Sequence, residues 1–309
     1  RCLQVKKKRM NNHFQNYKQL LTLLPEYGEF IKGLKILDKF DFSKLTKEQI
    51  YDKFYDYAFT LSTNFGFLNT ENFNNRKFYR VRLNIDRKKE DVNLIQTYSY
   101  PPKAFYGSNG RVNLAGNSLF YCANEPTPAL IECKAKIGDE GFLSVWSGNA
   151  KRKIKVAHYL PSNLRADNAW SKMAQENLQE LKNKCPKELI PKLKHIEALN
   201  NFLSKKFIEE KAPYYLTSML GWELFYGQFW TDLIIYSSVV TNSRFCNMAI
   251  HPNSVNENLK FEKVIVFKVI GFEKYMPIFQ LRTEVGHLEN TKIEWKKLTN
   301  EEMNLFEQR

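Results

Sequence analysis

Near residue 70 the spacing of apolar residues changes period, and that change limits the fold more than any other feature of the chain. Before it, Tyr17, Leu20, Leu21 and Leu24, then Ile50, Phe54, Tyr57 and Leu61, recur at three- and four-residue intervals, the stripe of amphipathic helices. From residue 77 the run FYRVRLN alternates as a half-buried strand does. Between them, LSTNFGFLNTENFNNR is polar, Asn-rich and turn-forming. The expected organisation is therefore a small helical domain over residues 1–70 and a second domain over 71–309.

Beyond residue 77 the signals mix. SLFYCA reads as a short buried strand, and PTPALIECK follows as a helix whose prolines suit a first turn. Further strands are expected at GFLSVWS, KIKVAHYL, DLIIYSSV, CNMAI, KVIVFKVIGF and KIEWKKL, with helices over 166–184, 187–211 and 214–225. Without strict strand–helix alternation this is an α+β fold, not a doubly wound sheet. A composition of 43% hydrophobic and 14% aromatic residues supplies a large core.

Several classes of protein are disfavoured. Five cysteines (Cys2, Cys122, Cys133, Cys185, Cys246) are odd in number and never form CxxC, and five histidines are scattered, so neither a disulfide framework nor a metal site is expected. No apolar run approaches about 18 residues, so no membrane segment is expected and a cytoplasmic location is. P-loop, G-x-G-x-x-G, G-x-S-x-G and HExxH motifs are absent from the sequence. The excess of 47 Lys and Arg over 33 Asp and Glu, +14, is spread along the chain with no stacking module, which favours a solvated basic surface over a nucleic-acid reader.

The residues out of character lie mostly in GRVNLAGNSLFYCANEPTPALIE, residues 110–132. Glu132 follows Ala129, Leu130 and Ile131 on the expected helix, where a glutamate either faces water or is held at the edge of the core. Arg111 sits in a loop bracketed by Gly110 and Gly116, a setting for bidentate phosphate binding or for pairing with a surface carboxylate. Arg80 and Arg82 share one face of their strand, either as an exposed polar face or as part of a diphosphate receptor. Tyr121 either stacks on a planar base or fills core. Ser238 either offers a hydroxyl at a strand end or is ordinary strand-end polarity.

Taken in order, Arg80-Val-Arg82, Gly110-Arg111-Val-Asn113-Leu-Ala-Gly116, Leu119-Phe-Tyr121, Glu125 through Ala129 to Glu132, Asp232-Leu-Ile-Ile-Tyr236-Ser-Ser238 and Asn247 resemble the RES domain over roughly residues 76–275. Members of that family are toxins that break the nicotinamide–ribose bond of NAD by hydrolysis or phosphorolysis, some of them ADP-ribosylating proteins, on an ADP-ribosyltransferase-like fold. The resemblance implies such a mixed β core with flanking helices, preceded here by a helical extension. It implies Glu132 as the catalytic carboxylate and Arg111, with Arg80 or Arg82, on the NAD diphosphate. Tyr121 would face the nicotinamide, and Ser238 and Asn113 would complete the pocket. NAD is then a substrate; no cofactor or metal is implied. A cognate antitoxin is an implied partner, and self-association is left open. Where the family often carries Thr-Gln in the helix before the last strand, this chain has Thr217-Ser218. The helical extension is similar to HEPN-like domains, whose RNase motif Arg9-Met-Asn-Asn-His13 matches poorly, with three intervening residues. The alternatives kept beside this reading are an ADP-ribosyltransferase acting on a macromolecule and a basic nucleic-acid-binding module without catalysis.

Overall fold

The computed structural model describes residues 21–58, 64–102, 107–161, 164–227, 230–238, 241, 243–274 and 276–303. The helical stripe over Tyr17 and Leu20, the Arg9–His13 motif and Leu61 lie outside these residues. Two helices, α1 (Tyr27–Lys39) and α2 (Lys47–Ala58), come first. There follow β1 (Asn64–Leu68), α3 (Thr70–Asn74), β2 (Lys77–Leu83), β3 (Phe120–Ala123), α4 (Pro126–Glu132), β4 (Glu140–Gly148) and β5 (Ile154–Tyr159). The second half holds α5 (Ser171–Lys184), α6 (Leu193–Glu209), α7 (Tyr215–Tyr226), β6 (Leu233–Ser237), β7 (Cys246–Ile250), α8 (Pro252–Asn258), β8 (Leu259–Glu273), β9 (Met276–Glu289), β10 (Lys292–Lys297) and α9 (Asn300–Met303).

The strands make one mixed sheet, in the order β1-β5-β6-β7-β3-β2-β4-β8-β9-β10. Among the described residues only β5 and β6 run parallel, and their connection carries α5, α6 and α7, the long crossover that a parallel pair needs. The chain is thus α+β, with helices flanking a large sheet. Among the described residues no helix is long and apolar enough to cross a membrane.

The two sides of the sheet are covered differently. One carries Phe207, Leu216 and Leu220 from the crossover helices, Phe30 and Phe54 from α1 and α2, and Ile234 of β6 in a single cluster. Residues on either side of position 70 therefore share a core, and at its surface Lys205 Nζ donates to Asp38 Oδ2 at 2.8 Å. The other side buries Phe78, Tyr98, Phe120, Trp146 and Trp170. A smaller cluster joins Ala129 and Leu130 of α4 to Tyr79, Leu143, Val145 and Phe267 of the sheet.

Several elements depart from the local signals. The Asn-rich stretch expected to be a turn contains β1, because Phe65 and Phe67 find an open partner in β5, pairing with Ala157 and Lys155. β9 has no clear sequence signal, because it is an outer strand with much of its surface exposed and two register shifts against β8, which erase the alternation that marks a half-buried strand. The helix expected over 187–211 begins as a 3₁₀ turn, Lys187–Lys192, with Pro191 inside it, because proline supplies no N–H to an α-helical ladder. Only after it does α6 run uninterrupted.

Asp232, part of the sequence pattern above, anchors the start of β6. It is 1% exposed, accepts both arms of the Arg152 fork at 2.8 Å and takes the Lys155 N–H at 2.8 Å. Burial opposes its charge, but the Arg152 fork and the Lys155 N–H together hold its carboxyl below the usual carboxylate range. It fixes the β5–β6 pairing and lies apart from the site described below.

His158 on β5 is fully buried, and burial pushes its pKa down to about 4. A base held neutral in the fold is protonated first in the unfolded chain, near pH 6.5, so its contribution is complete above that value and lost as pH falls toward 4. We expect urea midpoints to drop between pH 6.5 and 4.5, approaching a loss of about 3 kcal/mol at the acid end. A His158→Gln protein should show a flatter profile in that window.

Candidate active site

The site begins with a short helix that ends where the carboxylate is needed. Prolines at 126 and 128 start α4, and Ala129, Leu130 and Ile131 bury its inner face. Glu132 is its last residue. A negative charge gains nothing from the C-terminal end of a helix, and here side-chain donors supply the compensation. Ser238 Oγ donates to Glu132 Oε1 at 2.5 Å, and Asn247 Nδ2 donates to the same oxygen at 3.0 Å. Among the described residues Oε2 makes no hydrogen bond, so one carboxylate oxygen is clamped and the other is left to act.

Both donors are fixed by strand ends. Ser238 follows β6 directly; its N–H bonds to the Phe245 carbonyl at 3.0 Å and its carbonyl accepts from Ser243 N at 3.1 Å. Asn247 lies on β7, opposite Tyr236 of β6 and Ala123 of β3. The next row of the same face holds Ile234, Ala249 and Tyr121. Period-two alternation therefore puts Tyr121, Tyr236 and Asn247 on one side of the sheet, the side that Glu132 reaches.

The Gly-Arg-x-Asn turn is built around Tyr121. Its hydroxyl donates to Asn113 Oδ1 at 2.6 Å and accepts from Val112 N at 3.0 Å. Only glycine fits at 110, since a Cβ there would lie 2.2 Å from Asn113 Oδ1 and 2.7 Å from the Tyr121 oxygen. Asn113 is fully buried. Tyr121 and Asn113 thus act first as the frame that holds Arg111.

Arg111 reaches the end of α6. Its Nη1 donates to the Phe207 carbonyl at 2.6 Å and to the Glu210 carbonyl at 3.1 Å, and its guanidinium lies 4.7 Å from the centre of the Tyr214 ring. A cation on the final carbonyls of a helix satisfies groups that have no partner within the helix. The Glu210 carboxylate in turn accepts from Leu216 N and Thr217 N, both at 2.9 Å, at the start of α7. Arg111 therefore joins the α6–α7 corner to the sheet while bringing positive charge to the site.

Arg80 and Arg82 do share a strand face, but it is not the face of Glu132. Alternation places them with Phe78, whose cluster also holds Phe120 and Cys122. Arg82 is gripped by Glu90 at 2.5 and 2.9 Å and by the Thr97 carbonyl at 2.7 Å. Arg80 donates to the Tyr121 carbonyl at 2.9 Å. Of the expected site residues, then, Glu132 meets Ser238, and Tyr121, bonded to Asn113 and to the turn that carries Arg111, lies on the same sheet face one row from Asn247, while Arg80 and Arg82 buttress the strands from behind.

Two nearby residues carry more than their sequence signal suggested. Asn247 stood in the pattern without a role, yet it supplies half of the Glu132 clamp. Tyr236 likewise stands in the pattern without a role. Cys133, beside Glu132, donates its thiol to the Leu130 carbonyl at 2.9 Å; burial pushes it up to about 11, which leaves it a thiol and a poor nucleophile. Among the described residues no three His, Cys, Asp or Glu side chains gather as a metal site would need.

No family model matches the chain, and a comparison with curated proteins finds no significant match.

Proposed function

We propose that this protein is an NAD-consuming enzyme that cleaves the nicotinamide–ribose bond, with the ADP-ribosyltransferase-like architecture of the RES family. The observation that carries this reading is the Glu132 clamp, whose donors lie 106 and 115 positions away along the chain. Three residues prominent in the sequence pattern thus form one constellation with no evident need in the core.

The chemistry suits the reaction. Breaking an N-glycosidic bond to a cationic nicotinamide develops oxocarbenium charge on the ribose, and a fixed carboxylate beside it stabilises that charge or activates the acceptor. Nicotinamide departs as a neutral base, so no general acid is required of the protein. In this reading Glu132 Oε2 faces the ribose, and Ser238 and Asn247 hold Oε1. Arg111 offers the diphosphate the guanidinium edge that its two carbonyl bonds leave unused, and the Tyr121 ring lines the nicotinamide side. An enzyme that drains NAD endangers its own cell, so a restraining partner protein belongs to the same proposal.

The test is free nicotinamide, followed by chromatography after the protein is incubated with NAD with and without phosphate. Release is expected, with ADP-ribose or its phosphorylated form as the co-product that names the acceptor. Absence of nicotinamide in both conditions, and with a cell extract supplied as a source of protein acceptors, would remove the reading.

A further inference from the structure

Tyr236 combines two properties that rarely occur together. Its side chain is 5% exposed, yet among the described residues no hydrogen bond engages its hydroxyl. The hydroxyl oxygen is not one of the sealed side-chain atoms that lack a partner, so the little surface Tyr236 keeps includes its hydroxyl, a donor that a buried ring presents outside the core and that a group from outside the chain can engage.

Its surroundings specify that group. The Tyr236 ring packs 5.8 Å from Phe207, whose carbonyl accepts from Arg111. Across the ladder, Tyr236 pairs with Asn247, which holds Glu132. Tyr236 thus lies between a residue that receives Arg111 and the residue that holds Glu132. Burial first, then the neighbouring Tyr121, with Arg111 opposing and Glu132 adding to the effect, holds it well above the usual tyrosine range. It is therefore a neutral donor at physiological pH.

We infer that Tyr236 is a ligand-binding residue whose hydroxyl donates a hydrogen bond to the ribose–phosphate link of a dinucleotide lying between Arg111 and Glu132. This rests on the NAD reading above. If Arg111 takes the diphosphate and Glu132 acts at the anomeric carbon, the ribose and its 5′ phosphate ester span the gap that Tyr236 faces.

Tyr236→Phe removes one oxygen and keeps the ring against Phe207, so the variant folds. The experiment is calorimetric titration of both proteins with ADP-ribose, together with their melting temperatures and nicotinamide release from NAD. Loss of one neutral hydrogen bond to a ligand corresponds to roughly 5- to 10-fold weaker binding, and that is the result expected, with an unchanged melting temperature. Binding within twofold of the unaltered protein would overturn the role of Tyr236 and leave the site reading standing, as would a lower melting temperature with unchanged affinity. An unaltered protein that neither binds ADP-ribose nor releases nicotinamide would overturn the site reading, and this inference with it.

Discussion

Glu132→Gln is expected to lower nicotinamide release by at least about 10²–10³-fold, the scale on which removal of a single preorganised electrostatic group is felt, while leaving the melting temperature unchanged. The two halves of that expectation have separate causes. Glutamine keeps an oxygen that can accept from Ser238 and Asn247, the two donors now on Oε1, so α4 stays pinned to the ends of β6 and β7. What disappears is the negative charge, which a developing oxocarbenium ion needs and a ground-state nucleotide does not. The defect should therefore appear in kcat, with ADP-ribose binding close to that of the unaltered protein. A Glu132→Gln protein that turns over NAD at a comparable rate would remove Glu132 from the chemistry.

Much of this site could be read from the chain, because its parts are marked by local conflict. A glutamate after Ala-Leu-Ile on a proline-started helix, an arginine after glycine and a serine following a buried strand each contradict their surroundings. What could not be read is which face a residue shares with which. Alternation groups Arg80 and Arg82 with Phe78, but it does not say that their face is the one shared with Phe120 and turned away from Glu132. That follows from the pairing of β2 with β3 and β4, a tertiary fact. Likewise, Glu90 lies eight residues beyond Arg82, and only the turn after β2 brings its carboxylate onto the guanidinium. Asn247 and Tyr236 look like ordinary strand residues until β6 and β7 are set side by side. The fold was legible to the same extent. Strong periodicity marks the helices and strands that the sequence announces, whereas β1 and β9 depend on the partner that each happens to meet.

Gly221→Ala tests how firmly the Arg111 turn depends on helix packing. In an exposed helix interior alanine is favoured over glycine by about 1 kcal/mol, and α7 is otherwise well suited to alanine, being buried along most of its length. At 221, however, a Cβ would lie 2.1 Å from the Val112 carbonyl oxygen and 2.6 Å from its carbonyl carbon. These are backbone atoms and cannot rotate aside. Either α7 or the turn must move, and overpacking of this kind costs about 1–3 kcal/mol. Movement of the turn would stretch the Tyr121 contacts with Val112 and Asn113 and draw Arg111 from the α6 carbonyls. The expected result is a lower unfolding midpoint together with weakened ADP-ribose binding at temperatures where the variant remains folded. Gly28 on α1 provides the contrast, since a Cβ there meets nothing within 4 Å. Gly28→Ala should leave binding unchanged and stabilise by up to about 1 kcal/mol. If both glycines respond alike, the close approach of α7 to the Val112 carbonyl does not set the position of Arg111.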